Sequence, residues 1–436
     1  MGTGRLSLVW IVATIAGAGY LTYRITGNDS SLFLPGETSG GHHQIELVCE
    51  SCHTPFGGVR QDACLNCHQG ELELAQDSHD DAKFNDPRFA GELARLNARQ
   101  CITCHAEHRP EITEVMGVTL PTDLCHRCHE AVGEDRPSHL NLAFETCASA
   151  GCHNYHDNRA LYEDFLVEHG NAEAATFAGV LPERNAWIAE GAMDATPAAS
   201  IGADGPPSSS PGELVSAWAG SAHAAALVAC TDCHAAGNTP WNDFPTRDVC
   251  GTCHELEPAD YVAGKHGMRE FVGLAPMSVA MARLPMHSES LTRTLDCGTC
   301  HDVHTVDVQF AAVDACLACH ADEHTLTYTE SPHFELWQAE VSGDAPPGSG
   351  VSCASCHLPR ETRRIAGDDR TVVQHNQNAN LRPNEKMIRD VCLACHSLEL
   401  SIDALADTEL IRHNFNGAPT IHVPSIDMAL SRIEQD

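Results

Sequence analysis

The chain has 436 residues, with 60 Asp and Glu against 26 Lys and Arg, so its formal net charge is −34. A surface of that sign repels nucleic acid and anionic lipid; it can steer basic partners, but solubility or a saline or alkaline habitat is the simpler reading. Aromatic residues are only 5%, too thin a supply for large cores built from side chains alone, while the length sets a prior of two or three domains.

The first element is MGTGR, then LSLVWIVATIAGAGYLTY and Arg24. Leu6 to Tyr23 carries no charge and stands at the lower edge of the length that crosses a bilayer. Residues 1–40 therefore read as an N-terminal transmembrane helix with its juxtamembrane segment. A cleaved signal peptide is the other reading, with Ala16-Gly17-Ala18 as the small residues at its cleavage site. Arg5 and Arg24 flank the stretch evenly and leave its orientation open.

From Cys49 onward one pattern repeats. Ten C-x-x-C-H units use Cys49, Cys52 and His53; Cys64, Cys67 and His68; Cys101, Cys104 and His105; Cys125, Cys128 and His129; and Cys230, Cys233 and His234. They continue with Cys250, Cys253 and His254; Cys297, Cys300 and His301; Cys316, Cys319 and His320; Cys353, Cys356 and His357; and Cys392, Cys395 and His396. Of the 22 cysteines only Cys147 and Cys152 are left, and they stand in CASAGCH before His153, an eleventh member with a longer loop.

C-x-x-C-H is the attachment signature of c-type haem. Two thiols add across the porphyrin vinyl groups, and the adjacent histidine binds the iron from the proximal side. Zinc ribbons and disulfide frameworks also use paired cysteines, but neither requires a histidine after every pair, and no cysteine remains for a disulfide. Eleven covalently attached c-type haems are expected, contributing the apolar mass that the aromatics lack. The chain should then fold around its cofactors, like other metallodomains that are unfolded without their metal. An arginine excess (23 Arg against Lys83, Lys265 and Lys386) suits propionate carboxylates, which a guanidinium fork binds in two places.

Five units fall in 41–160, a five-haem domain. Residues 161–215 read as a connector, helical around Leu161 to Ala189, then flexible through the Ala-, Pro-, Ser- and Gly-rich stretch 192–213. A six-haem domain with a short tail fills 216–436. The fold class is mainly α with little regular secondary structure, a multihaem cytochrome c fold organised around stacked haems. Short helices should carry the units, Arg136-Pro137-Ser138 a turn, and Gly264 to Arg283 a packing helix. No alternating pattern is long enough for a sheet of consequence.

Seventeen of the 28 histidines lie outside the proximal positions, more than eleven irons need as second axial ligands. His108, His156, His304 and His324 sit just beyond a unit, each placed to bind a neighbouring iron and lock two haems into a stack. His79, His139, His169, His223, His266, His287, His333 and His375 complete the expected set. His126, inside CHRCH, should point elsewhere, and His42, His43, His413 and His422 are unassigned. Met116, Met268 and Met286 are the alternative ligand type, made unnecessary by the histidine surplus.

The stretch CGTCHDVHTVDVQFAAVDACLACHADEHTLTYTESPHFELW from Cys297, then GVSCASCHLP, His375-Asn376 and CLACHS, resembles the C-terminal haem region of the hydroxylamine oxidoreductase and pentahaem nitrite reductase superfamily. Ser221-x-His223 before CTDCH joins that likeness. The resemblance implies that His304, His333 and His375 are distal ligands. The N-terminal half is similar to small multihaem cytochromes of the c3/c7 kind. Nitrite reductases of this superfamily use a lysine at the active haem, yet no C-x-x-C-K occurs here. Its oxidoreductases cross-link a C-terminal tyrosine, whereas Tyr20, Tyr23, Tyr155, Tyr162, Tyr261 and Tyr328 all precede the last unit.

Haem of this type resembles a class attached outside the cytoplasm. The expectation is therefore an electron-transfer protein rather than an enzyme, anchored in the inner membrane with its bulk in the periplasm. It would relay electrons from a quinol-side membrane donor to a periplasmic or outer-membrane acceptor. The alternatives are a terminal reductase or oxidase of a small nitrogen or sulfur compound, and a polymerising cytochrome filament subunit.

Overall fold

Among the described residues helices of four to six residues are the commonest element, because most cysteine units close a single turn and the Gly- and Pro-punctuated sequence around them stops the helix from growing. The Cys64 unit instead lies inside the 15-residue helix Gln61–Ala75. The computed structural model describes residues 3–26, 31–54, 57–75, 79, 83–85, 87–114, 117–135, 139, 155–156, 163–170, 212–365, 367–381 and 384–433. Cys147, Cys152, His153 and most of the 161–215 connector lie outside these residues, as does the expected turn at 136–138.

Backbone contacts divide the chain into two compact units. The first, Met1–Gln69 with Phe84–Pro121, holds the cysteine units that begin at Cys49, Cys64 and Cys101. The second, Gly70–Lys83 with Thr122–Asp436, holds those that begin at Cys125, Cys230, Cys250, Cys297, Cys316, Cys353 and Cys392.

The longest helix, Thr3–Thr26, has 24 residues. Its described side chains are exposed, Leu8, Val9, Trp10, Val12 and Ile15 among them. Among the described residues no helix is long and apolar enough to cross a membrane.

In the second unit a core cluster gathers Leu166, Met387, Ile388, Leu398, Ile402, Leu405 and Ile426, with Cys356 and Cys392 packed against it. The helix Glu163–Gly170 enters this cluster, placing the start of the expected helical connector in the core. A second cluster joins Ala312, Val313, Tyr328 and Trp337, with Cys353 at its edge. Cysteine units are thus packed at the borders of both cores.

Among the described residues the only sheet is one antiparallel hairpin, β1 (Arg360–Ile365) with β2 (Asp368–Val373), in register from Arg360 opposite Val373 to Ile365 opposite Asp368. It turns at Gly367, where φ is +100°. The single helix expected over Gly264 to Arg283 does not form. Helix Met268–Phe271 stops at Gly273, whose φ of +78° only glycine adopts freely, and a separate short turn follows at Val279–Met281.

Candidate haem-binding sites

Most of the described units are built from the backbone upward in the same way. In seven of them the histidine N–H donates to the carbonyl of the first cysteine. The pairs are His53 to Cys49 at 2.8 Å, His105 to Cys101 at 2.9 Å, His129 to Cys125 at 3.0 Å and His254 to Cys250 at 2.9 Å. His301 to Cys297 and His320 to Cys316, both at 3.0 Å, and His396 to Cys392 at 2.8 Å complete them. This four-residue bond closes one helical turn, so two thiols and an imidazole leave the chain within a single turn. Local caps fix where the turn begins. Asp296 accepts from Thr299 N–H at 2.8 Å, and Ser352 from Ser355 N–H at 3.2 Å. None of the described cysteines is disulfide-bonded.

Nine of the unit histidines face a second histidine. His68 meets His42 at a ring-centre separation of 5.9 Å, His53 meets His108 at 6.4 Å, and His129 meets His79 at 6.1 Å. His254 meets His223, and His234 meets His304, both at 6.1 Å. His320 pairs with His266 and His301 with His375, both at 6.2 Å; His357 pairs with His324 at 6.0 Å and His396 with His333 at 6.1 Å.

That spacing has one simple chemical reading. Two imidazoles bound trans to one metal through bonds of about 2 Å, each nitrogen about 1 Å from its ring centre, put their centres roughly 6 Å apart. A tetrahedral zinc would draw the same rings together to roughly 5 Å. The thiol pair always belongs to one ring of each couple, which is the donor set of a covalently held iron porphyrin with two axial imidazoles.

The second ring nitrogens are held as ligand chemistry requires. Nδ1 of His108 donates to Gly36 O at 2.8 Å, His234 to Asn242 O at 2.7 Å, and His375 to Val373 O at 2.9 Å. His79 and His324 do the same to Tyr155 O and Ile411 O, each at 2.5 Å. Each bond fixes the tautomer with the proton on Nδ1; His324 Nε2 meets Asn414 Nδ2 at 3.3 Å. Burial pushes His266, His333 and His357 down to about 4, keeping them in the neutral form that coordinates. Burial also pushes the thiols of Cys300, Cys356 and Cys392 up to about 12, far from the range of a reactive thiolate.

The histidines expected as distal ligands sit on elements shaped for them. Ser221 and Ser331, 4% and 0% exposed, cap the helices Ala222–Ala225 and Pro332–Ser342 by accepting from Ala224 and Phe334 N–H. His223 and His333 are the second residues of those helices, so the S-x-H pattern is a cap that aims an imidazole. His108 is held at φ +63°, and a Cβ on Gly36 would lie 3.0 Å from its carbonyl. A Cβ on Gly264 would lie 2.6 Å from Gln377 and 3.1 Å from His375 O, so glycine lets two ligand-bearing segments meet.

His42, unassigned from sequence, is the partner of His68. Its signal was the adjacent pair His42-His43 just before the first unit. His43 shows the same preparation: Nδ1 lies 3.1 Å from Gly40 O, and Nε2 is buried with no hydrogen-bond partner. Other candidates lie elsewhere. His139 is half-buried, and His156 stands edge-on to Tyr155 at 5.0 Å. His169 packs on Phe165 at 4.3 Å. His287 is half-buried beside the Cys316 unit, its N–H donating to Cys319 O at 2.9 Å. His413 pairs with Glu323 at 3.2 Å. His422 lies between Asp403 at 3.1 Å and Asp427 at 2.9 Å, whose carboxylates raise it to about 9.

The chain matches the cytochrome c3 family over residues 41–130 and again over 222–321. The first region spans four C-x-x-C-H units, from Cys49 to His129, and the second another four, from Cys230 to His320. No solved structure matches the chain.

Proposed function

We propose that this multihaem c-type cytochrome carries eleven haems and relays electrons between a membrane donor and a periplasmic or outer-membrane acceptor. The observation that carries the reading is the set of nine imidazole couples, each joining the histidine of a cysteine unit to one from elsewhere in the chain. When bound, haem supplies iron that takes up and releases single electrons. The residues do the rest. The cysteines would hold the porphyrin, the paired imidazoles would bind its iron, and main-chain carbonyls lock the rings.

An iron held by two imidazoles would have no place for a substrate, which favours electron transfer over catalysis. The absence of C-x-x-C-K and of a tyrosine after the last unit points the same way for the segment that resembles the hydroxylamine oxidoreductase superfamily. CASAGCH supplies the eleventh attachment. The uncharged stretch Leu6–Tyr23 supports an anchor in the inner membrane, and attachment chemistry of this type supports a periplasmic bulk. The charge of −34 favours redox partners with basic docking faces.

Low-temperature electron paramagnetic resonance of the oxidised, haem-loaded protein tests the reading. Low-spin signals throughout are expected. A stoichiometric high-spin signal that shifts with nitrite, hydroxylamine or sulfite would replace it with a catalytic one.

A further inference from the structure

The segment after the Cys101 unit runs His105-Ala106-Glu107-His108. His108 turns to His53, while Glu107 reaches the ligand of a different couple: its Oε1 lies 2.6 Å from His42 Nδ1. The same carboxylate accepts from Ser39 N–H at 2.6 Å and from Ser39 Oγ at 2.8 Å. Three donors therefore converge on one half-buried carboxylate, which is fixed against the outward side of the His42 ring.

The Nδ1 contacts recorded for histidines of other couples are of a different kind. His79, His108, His234, His324 and His375 all give Nδ1–H to a main-chain carbonyl. His320 has a carboxylate nearby, but Asp322 stands 3.8 Å away, beyond hydrogen-bond reach. His42 alone among these places its second nitrogen on a full negative charge.

The physical consequence follows from sharing that proton. A carboxylate accepting Nδ1–H moves electron density onto the ring and makes Nε2 a stronger donor, as carboxylate–histidine–metal triads do. A stronger donor stabilises the higher-charged ferric iron more than the ferrous. We infer that Glu107 is a positioning residue that lowers the reduction potential of the iron held by His42 and His68 below what a main-chain acceptor would set. The inference rests on the axial role proposed above for His42.

The test uses the haem-loaded, full-length protein in four forms: wild type, His42→Ala, Glu107→Gln and Ser39→Ala. His42→Ala identifies the centre, converting one low-spin ferric signal to high spin. In redox titrations followed on that signal, Glu107→Gln keeps the side chain's shape and removes its charge. It should favour reduction of this centre at least tenfold, an upward shift of about 59 mV for one electron. Ser39→Ala weakens the anchoring but keeps the charge, and should move the midpoint far less. An unchanged midpoint in Glu107→Gln, or an equal shift in Ser39→Ala, would overturn the inference and leave the axial role intact. If His42→Ala produces no high-spin signal, the axial role itself fails and the inference falls with it.

Discussion

The imidazoles of His234 and His304 stand 6.1 Å apart with planes only 9° from parallel, whereas those of His79 and His129 cross at 90°. His304 lies three residues beyond His301, which faces His375. A two-residue spacer thus connects histidines of two different couples, and on the proposed reading the chain between them would tie two irons together. Ring orientation is readable in low-spin ferric spectra. Near-parallel planes give a rhombic signal, and perpendicular planes give a strongly anisotropic one with a large principal g value. The haem-loaded protein should show both types. His304→Ala should remove intensity from the rhombic class and add one high-spin centre; loss from the anisotropic class instead would show that His304 serves another iron.

Gly264 offers a test that touches no ligand directly. An alanine Cβ there would press on the His375 carbonyl and on Gln377, main chain and side chain that hold one distal ligand, while His266 lies two residues away. Gly264→Ala should destabilise the folded protein by about 1–3 kcal/mol through overpacking and should loosen His375 in particular. Denaturant melts of the loaded protein, followed in the Soret band, measure the first effect. A high-spin fraction at the couple with His301 marks the second.

The cysteine units and their adjacent histidines were legible as a strict local spacing, and His79, His108, His223, His266, His304, His324, His333 and His375, singled out from sequence, each face a unit histidine. Pairing was not. His375 reaches His301 only after β1 and β2 fold back on themselves, and His42 reaches His68 through a tertiary approach that no local spacing encodes. The packing helix expected over Gly264 to Arg283 failed for a local reason. Its apolar period was right, but Gly273 needs a left-handed backbone and Pro276 cannot continue a helix. The buried serine caps were visible as S-x-H yet gained meaning only once the helices they start were seen.

Ser331 and Trp337 separate capping from packing on a single helix, Pro332–Ser342. Ser331 accepts from Phe334 N–H at 3.2 Å and donates to Tyr328 O at 2.7 Å. Ser331→Ala should cost about 1–2 kcal/mol and tilt His333 away from His396. Trp337 is 5% exposed in the core cluster with Val313 and Tyr328. Trp337→Ala should cost more, about 3–5 kcal/mol, while leaving the axial signal of the His333 couple nearly unchanged in whatever remains folded. Equal spectral damage from both variants would mean that the cap has no special role in aiming His333.

His422 gives a pH signature outside the couples. Hydrogen bonds from Asp427 and then Asp403 raise it to about 9, above its ordinary value near 6.5. A group raised in the folded state contributes stability that is fully present below its unfolded value and is lost as pH climbs through the folded one. Thermal midpoints should therefore fall between about pH 6.5 and pH 9, and His422→Gln should flatten that slope. A slope that survives the substitution would assign the effect to other groups.

The central claim is that the cysteines of this chain are consumed in thioether bonds to porphyrin, leaving iron between paired imidazoles. Intact mass spectrometry of the mature, denatured protein tests it most directly, because covalent haem survives denaturation. The expected mass is that of the polypeptide, with or without its N-terminal segment, plus eleven haems. A mass ten haems heavier would leave one unit without haem, and the mass of the bare polypeptide would contradict the whole account.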